Sequence, residues 1–234
     1  MSEWKRKRFW KEAAVVEAGG GYAVELDGRQ LKTPAKSALT VPTRDFAEMI
    51  AAEWDAQQDE IDPRVMPATR MANAAIDKVR IQHAEVADLL SAYGETDLLC
   101  YRADAPQELA DRQAKAWDPV LDWADETLGV RLVTGTGVMF VPQPPEALAS
   151  LSDRVHALSD FQIAAFHDLV SLSGSLVLGF AATHHWRSAE EIWQLSRLDE
   201  NWQIEQWGDD EEAAGTAEIK RQAFLFARLA FSFC

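Results

Sequence analysis

YAVELDGRQLKTPAKSALTVPTRDFAEMIAAEW, residues 22–54, contains the change of hydrophobic period that decides the fold. In its first part Tyr22, Val24 and Leu26 alternate with Ala23, Glu25 and Asp27, the pattern of a half-buried strand. Asp27-Gly28 is a hairpin turn signal ahead of Gln30-Leu31-Lys32. From Thr43 the period lengthens. Phe46, Ile50 and Trp54 recur at helical spacing, with Thr43 as N-cap and Asp45 in the first turn.

Working outward from this stretch, Ala13 to Glu17 and Leu39-Thr40-Val41 read as flanking strands, so residues 1–42 predict a small antiparallel sheet. Gly19-Gly20-Gly21 lies between strands with no Gly-Lys-Ser/Thr and no helix start, so it reads as a turn rather than a phosphate loop. Residues 43–234 are helical in pattern. A second helical stretch opens at Val65-Met66-Pro67, carries Met71, Ala75, Ile76, Val79, Val86, Leu89, Leu90 and Tyr93, and stops at Gly94. Asp97 to Tyr101 is too apolar for a surface loop. Leu109, Gln113, Trp117, Leu121 and Ala124 mark a helix closed by Gly129, with a kink or split expected at Pro119. Residues 130–141 are β-branched with two glycines and predict a short hairpin. Helices follow near 145–158 and 160–183, the latter with Ser171, Ser173, Gly174 and Ser175 where another helix can approach.

Ser188 with Glu191 forms a capping box, and Gly208 is the matching stop, which predicts one helix between them. Ile192, Leu195, Leu198 and Trp202 form its apolar stripe. The remaining face is a row of acids, amides and indoles: Trp193, Asp199, Glu200, Gln203, Gln206 and Trp207, then the acids Asp209, Asp210, Glu211 and Glu212. Indoles give large contact area at little entropy loss, which suits a surface held against a partner. Two readings stay open here: Trp202 and Trp207 serve packing or contact, and Asp210 and Glu211 serve contact or the first turn of a last helix to Phe231.

The 234 residues are 47% hydrophobic, enough for a real core. With 23 basic and 38 acidic residues the formal charge is −15, which repels nucleic acid and anionic lipid. The longest apolar run, Leu176 to Ala182, is far short of the roughly 20 residues that cross a bilayer. The basic start leads into no apolar core, so no secretory signal is read. Cys100 and Cys234 fit reduced thiols. The histidines show no metal-ligand spacing, and no cofactor or metal is expected. Acid pairs such as Glu53/Asp55 keep a carboxylate or metal-dependent enzyme as one rival class, and an acidic helical adaptor with another client as a second.

Residue identities then add to the pattern. Leu26-Asp-Gly-Arg-Gln-Leu-Lys-Thr-Pro34, Glu53-Trp-Asp-Ala-Gln57, Met66-Pro-Ala-Thr69, Thr96-Asp-Leu-Leu-Cys-Tyr-Arg102, Trp117-Asp-Pro119 and Leu198-Asp-Glu-Asn-Trp-Gln203 to Trp207-Gly208 together resemble one family. It is the family of ATP synthase assembly chaperones whose client is the alpha subunit of F1-ATPase. The resemblance implies an α+β fold, a small N-terminal antiparallel β domain (1–42) followed by a larger, mainly α-helical orthogonal bundle (43–234). It also implies a monomeric, non-enzymatic protein that binds free alpha subunit, shields it and leaves when the beta subunit arrives. The acids associated with function in the family fall on Asp199 and Glu200. Many relatives carry glutamate at the first of these, so Asp199 keeps the charge with shorter reach. Glu53, Trp54, Asp97, Arg102 and Trp117 lie in motifs expected to support the fold. Eukaryotic members carry a mitochondrial presequence. None is read here, which implies a bacterial cytoplasmic protein.

Overall fold

The computed structural model describes residues 7–208 and 210–234; residues 1–6 and Asp209, the first of the four acids after Gly208, lie outside the described residues. The chain forms two compact units. One comprises the chain up to His83 with Ser159–Ala165 and Leu229–Cys234; the other comprises Ala84–Leu158 with Phe166–Arg228. A small N-terminal antiparallel sheet is followed by a larger helical region.

In the first unit β1 (Ala13–Ala18) and β2 (Gly21–Leu26) pair antiparallel, from Ala13 opposite Leu26 to Ala18 opposite Gly21. Gly19 and Gly20 between them have φ of 60° and 85°, the positive pair required by a primed two-residue turn. A side chain on Gly21 would collide with the Val41 carbonyl oxygen, so the third glycine serves strand pairing. Asp27 (φ 47°) and Gly28 (φ 78°) make the next turn. The Asp27 carboxylate accepts from the backbone amides of Glu12 (3.0 Å) and Lys11 (3.1 Å), and these bonds lower its pKa. β3 (Arg29–Gln30) and β4 (Thr40–Val41) pair with successive parts of β2, which is therefore the inner strand. Consecutive residues Ala23 and Val24 are both buried, so the strand is covered on both faces and the alternation in sequence is only partial.

Thr43 caps α1 (Arg44–Asp55), its hydroxyl accepting from the Phe46 amide, and Phe46, Ala47, Ile50 and Ala51 are buried. Trp54 is half-buried and meets the buried Trp10 edge-on at 5.1 Å. Glu53 caps the next helix, α2 (Pro67–Asp77): its carboxylate accepts from the amides of Ala68 (2.5 Å) and Thr69 (2.8 Å) and from the Thr69 hydroxyl (2.7 Å). Burial raises the Glu53 pKa even so. The continuous helical stretch expected to Gly94 is broken at Lys78 (φ −122°, ψ −64°), and Val79–Ile81 forms a 3-10 turn. The interruption shifts the buried stripe. In α3 (His83–Ser91) Ala87 and Leu90 are buried, while Leu89 is 70% exposed.

The second unit is built around α4 (Gln107–Leu128), which Pro119 does not split. A proline removes only one intrahelical donor, and Trp117, Val120 and Leu121 around it are locked in the core. Gly129 closes α4 in the left-handed conformation (φ 66°, ψ 29°), as its sequence predicts. Downstream lie α5 (Pro145–His156), α6 (Asp160–Ser173) and α7 (Leu176–Thr183); α6 begins in the first unit and ends in the second. The single helix expected over 160–183 is broken at Gly174 (φ 70°) and Ser175, which N-caps α7 through the Leu178 amide at 2.9 Å. The segment at Asp97 fills the break. Leu98 donates to the Gly174 carbonyl (3.1 Å), and the buried Asp97 carboxylate accepts from the amides of Leu99 (3.0 Å) and Val177 (3.1 Å).

The hairpin expected at 130–141 is not formed. β6 (Gly135–Thr136) instead pairs in parallel with β5 (Tyr101–Arg102), so its partner comes from a distant part of the chain. The buried Gln143 takes the place of a second strand: its side-chain oxygen accepts from the Val133 amide (2.8 Å) and its nitrogen donates to the carbonyls of Val133 (3.0 Å) and Val141 (3.3 Å). The tip of this loop, Val138, Met139 and Phe140, is exposed by 60% or more.

Candidate functional site

The surface singled out by sequence is carried by α8 (Ala189–Ser196), α9 (Leu198–Trp207) and the start of α10 (Glu211–Phe231). The capping box at Ser188 forms as read, with the Ser188 hydroxyl accepting from the Glu191 amide (3.2 Å) and the Glu191 carboxylate from the Ser188 amide (3.0 Å). The one helix expected from there to Gly208 is two. The Ser196 hydroxyl donates back to the Trp193 carbonyl (2.7 Å), the Arg197 amide donates to the Gln194 carbonyl (3.2 Å), and Arg197 (φ −104°, ψ 12°) turns the chain. A side chain that bonds backward and a tightened last turn both favour termination there. Ile192 and Leu198 are buried and Leu195 and Trp202 half-buried. Trp193, read as part of the presented row, is instead 3% exposed and faces Phe224 at 5.6 Å.

Gly208 does end α9, but with φ 89° and ψ 168° rather than the left-handed helical values the sequence suggested. That extended region is essentially closed to residues with a side chain. Asp210 then starts α10, its carboxylate accepting from the amides of Glu212 (2.8 Å) and Ala213 (3.0 Å). Glu211 is exposed in the first turn. Asp210 therefore has the structural role that a helix start gives an acid, with its outer edge still in solvent.

Side chains of α4 fix α9. Gln113, itself buried, donates to Asp199 at 2.7 Å. Arg112 makes a two-pronged ion pair with Glu205 (2.6 and 2.7 Å) and its guanidinium lies 5.7 Å from the centre of the Trp202 ring. These hydrogen bonds from Arg112 hold the Glu205 carboxyl below the usual range. Glu200 pairs with Arg197 at 2.6 Å. Gln203 and Gln206 are exposed, as are Ile204 (42%) and Trp207 (87%). Asp199 and Trp202 thus face inward in part, and Gln203, Gln206 and Trp207 outward. Arg112 and Ile204 escaped sequence reading, since a pair formed across 93 residues has no local signature.

Of the motif residues, Trp117 is fully buried and its indole donates to the Leu195 carbonyl at 2.9 Å. Arg102 lies 5.3 Å over the Trp117 ring, donates to the Leu99 carbonyl (3.0 Å) and pairs with Asp118 (2.9 Å). Glu53 and Trp54 belong to the first unit. Among the described residues no group of three or more His, Cys, Asp or Glu is placed to hold a metal ion, and no helix is long and apolar enough to cross a membrane.

The model of the ATP12 chaperone protein family matches residues 7–125. The crystal structure of Atp12 from Paracoccus denitrificans is 46% identical, with a TM-score of 0.95 over 99% of each chain. A mutant of that protein with lysine in place of an aspartate gives the same values. Atu1473 protein from Agrobacterium tumefaciens is 40% identical with a TM-score of 0.91, covering 96% of this chain and 84% of that one. Mitochondrial protein atp12 of Schizosaccharomyces pombe is 29% identical over 220 residues, 88% of this chain and 75% of that protein. Motifs spread from the first sheet to α9, a family match over half the chain and solved relatives superposing along nearly all of it agree: this chain belongs to the ATP12 family, the chaperones of ATP synthase assembly.

Proposed function

We propose that this chain acts without catalysis, as a monomer, by binding the unassembled alpha subunit of F1-ATPase and covering the surface meant for a beta neighbour. The observation that carries this reading is α9: a short helix fastened from beneath by Gln113 and Arg112, which presents Trp207 at 87% exposure and Ile204 at 42% among amides and acids. An exposed indole ringed by polar groups has the makeup of a few-residue binding hot spot. Solved bacterial relatives and a mitochondrial one support a site of action where ATP synthase is assembled, here the bacterial cytoplasm.

The test is capture of purified free alpha subunit by the full chain, against assembled enzyme as the control. Trp207→Ala and Glu200→Lys are expected to weaken capture roughly tenfold, about 1.4 kcal/mol; melting is expected to be unchanged in Trp207→Ala and slightly lowered in Glu200→Lys, which loses the partly exposed pair with Arg197. Asp199→Lys is expected to lower both capture and melting temperature, since it removes the acceptor of the buried Gln113 amide. Equal capture by wild type, Trp207→Ala and Glu200→Lys would take α9 out of the interface.

A further inference from the structure

We infer that the outer edge of β1 takes up an extended segment of a protein client as an added strand. β1 is six residues long and pairs on one side only, with β2. The register decides which backbone groups are left over. Asp27 donates to the Glu12 carbonyl (3.1 Å), so these two residues form a hydrogen-bonded pair. Alternation along an antiparallel ladder then makes Ala14 with Glu25, Val16 with Ala23 and Ala18 with Gly21 the next such pairs. Opposite Val15, the Val24 carbonyl turns away from β1 to accept from the Leu31 amide (2.8 Å), as the same alternation requires. The amides and carbonyls of Ala13, Val15 and Glu17 therefore point outward from the sheet, and none of them has a hydrogen-bond partner among the described residues.

Such a row selects its occupant by chemistry. Donors and acceptors spaced along a strand are matched by another extended backbone, whereas the amides of a helix are already bonded within it. Folded proteins blunt open edges with lysine, proline, a bulge or very short strands. β1 has none of these: its sequence is Ala-Ala-Val-Val-Glu-Ala, with Glu17 its only charge, and it pairs with β2 one to one from Ala13 to Ala18. On the far side of β2 the two-residue strands β3 and β4 leave no edge of comparable length. Ala13 to Val16 are half-buried, so alternate apolar side chains of an added strand gain contact area beside them. A second copy of β1 is the poorer occupant, because it would bring together two chains of formal charge −15.

The inference rests on the chaperone reading only in taking a client segment as the natural occupant, and its test needs no alpha subunit. The probe is the fluorescein-labelled peptide Lys-Thr-Val-Thr-Val-Thr-Val-Lys, titrated with the full chain by fluorescence anisotropy, beside the same peptide N-methylated throughout its Thr-Val repeats. The methylated control keeps every side chain and charge and loses only backbone donors. Wild type is expected to bind the parent peptide at least about tenfold more tightly than the control. Val15→Pro is expected to bind it at least about tenfold more weakly than wild type, since proline removes an outward donor and is tolerated on an edge strand. Should Val15→Pro melt early, hydrogen exchange in wild type decides. The Ala13, Val15 and Glu17 amides are expected to exchange fast in the free chain and to slow at least about tenfold with peptide bound. Absent binding, equal affinity for the two peptides, equal binding by a folded Val15→Pro, or amides that are protected in the free chain or stay fast in the complex would overturn the inference. A wild type that captures alpha subunit yet ignores the peptide removes the edge alone; peptide pairing without capture removes the alpha subunit alone.

Discussion

Trp117→Ala is expected to lower the free energy of unfolding by about 3–5 kcal/mol, read from urea denaturation followed by circular dichroism. The indole is completely buried on α4, so truncation opens a large cavity in the second unit. Its N–H donates to the Leu195 carbonyl near the C-terminal end of α8, where intrahelical donors run out. Arg102, stacked on the ring, loses its platform as well. Against a typical total of about 5–15 kcal/mol, this single change leaves little stability in reserve. Trp117→Phe separates the contributions. It keeps most of the ring but leaves the Leu195 carbonyl without its donor, and is expected to cost about 1–3 kcal/mol. Equal losses from the two variants would assign the whole effect to the hydrogen bond and none to packing.

Asp97 is expected to make stability fall with rising pH, opposite to the usual effect of a carboxylate. Complete burial is the main cause that pushes its pKa from 3.8 to about 6, outweighing the bonds from Ser175 and from the Leu99, Val177 and Leu176 amides that favour the charged form. A carboxyl whose pKa is higher in the folded state stabilises the fold fully below the unfolded value of 3.8, and that contribution is lost as the pH rises through about 6. The full span corresponds to about 3 kcal/mol, of which about 1 kcal/mol falls between pH 5 and pH 8. Asp97→Asn cannot ionise. The stability of wild type relative to Asp97→Asn is therefore expected to drop by about 1 kcal/mol from pH 5 to pH 8, measured by urea unfolding at each pH. A difference that stays flat would mean that Asp97 does not change its protonation in the folded state between pH 5 and pH 8.

What could be read in the sequence was what local chemistry decides. The turns at Gly19-Gly20 and Asp27-Gly28, the cap at Thr43, the capping box at Ser188 and the stop at Gly129 each depend on a few adjacent residues, and all formed as read. The breaks at Lys78, Gly174 and Arg197 were missed, because apolar periodicity runs through them and distant groups help to settle at least one. At Gly174 the settling group is a carboxylate on Asp97, 80 residues from the Val177 amide it holds. Residues 130–141 have the composition of a hairpin, yet the Gln143 side chain and the strand at Tyr101 occupy the edges that a hairpin would have paired. Trp193 was misplaced for a related reason. The residue that covers it, Phe224, belongs to α10, which no local pattern around Trp193 announces. Exposure at Gln203, Gln206 and Trp207 could be read from the pattern of α9, but the fastening of that helix by Arg112 could not.

Cys100 adds a property that concerns time rather than shape. The thiol has no exposed surface, and burial, reinforced by the neighbouring Asp97 charge, pushes its pKa up to about 12. At neutral pH only about one molecule in 10⁵ then carries the reactive thiolate. Iodoacetamide reaches this sulfur chiefly when the second unit opens, so the rate of alkylation at Cys100 reports the fraction of time that unit spends open, and the opening rate itself once alkylation outpaces reclosing. The same cysteine that oxidants pass over in the folded chain becomes a clock for its unfolding.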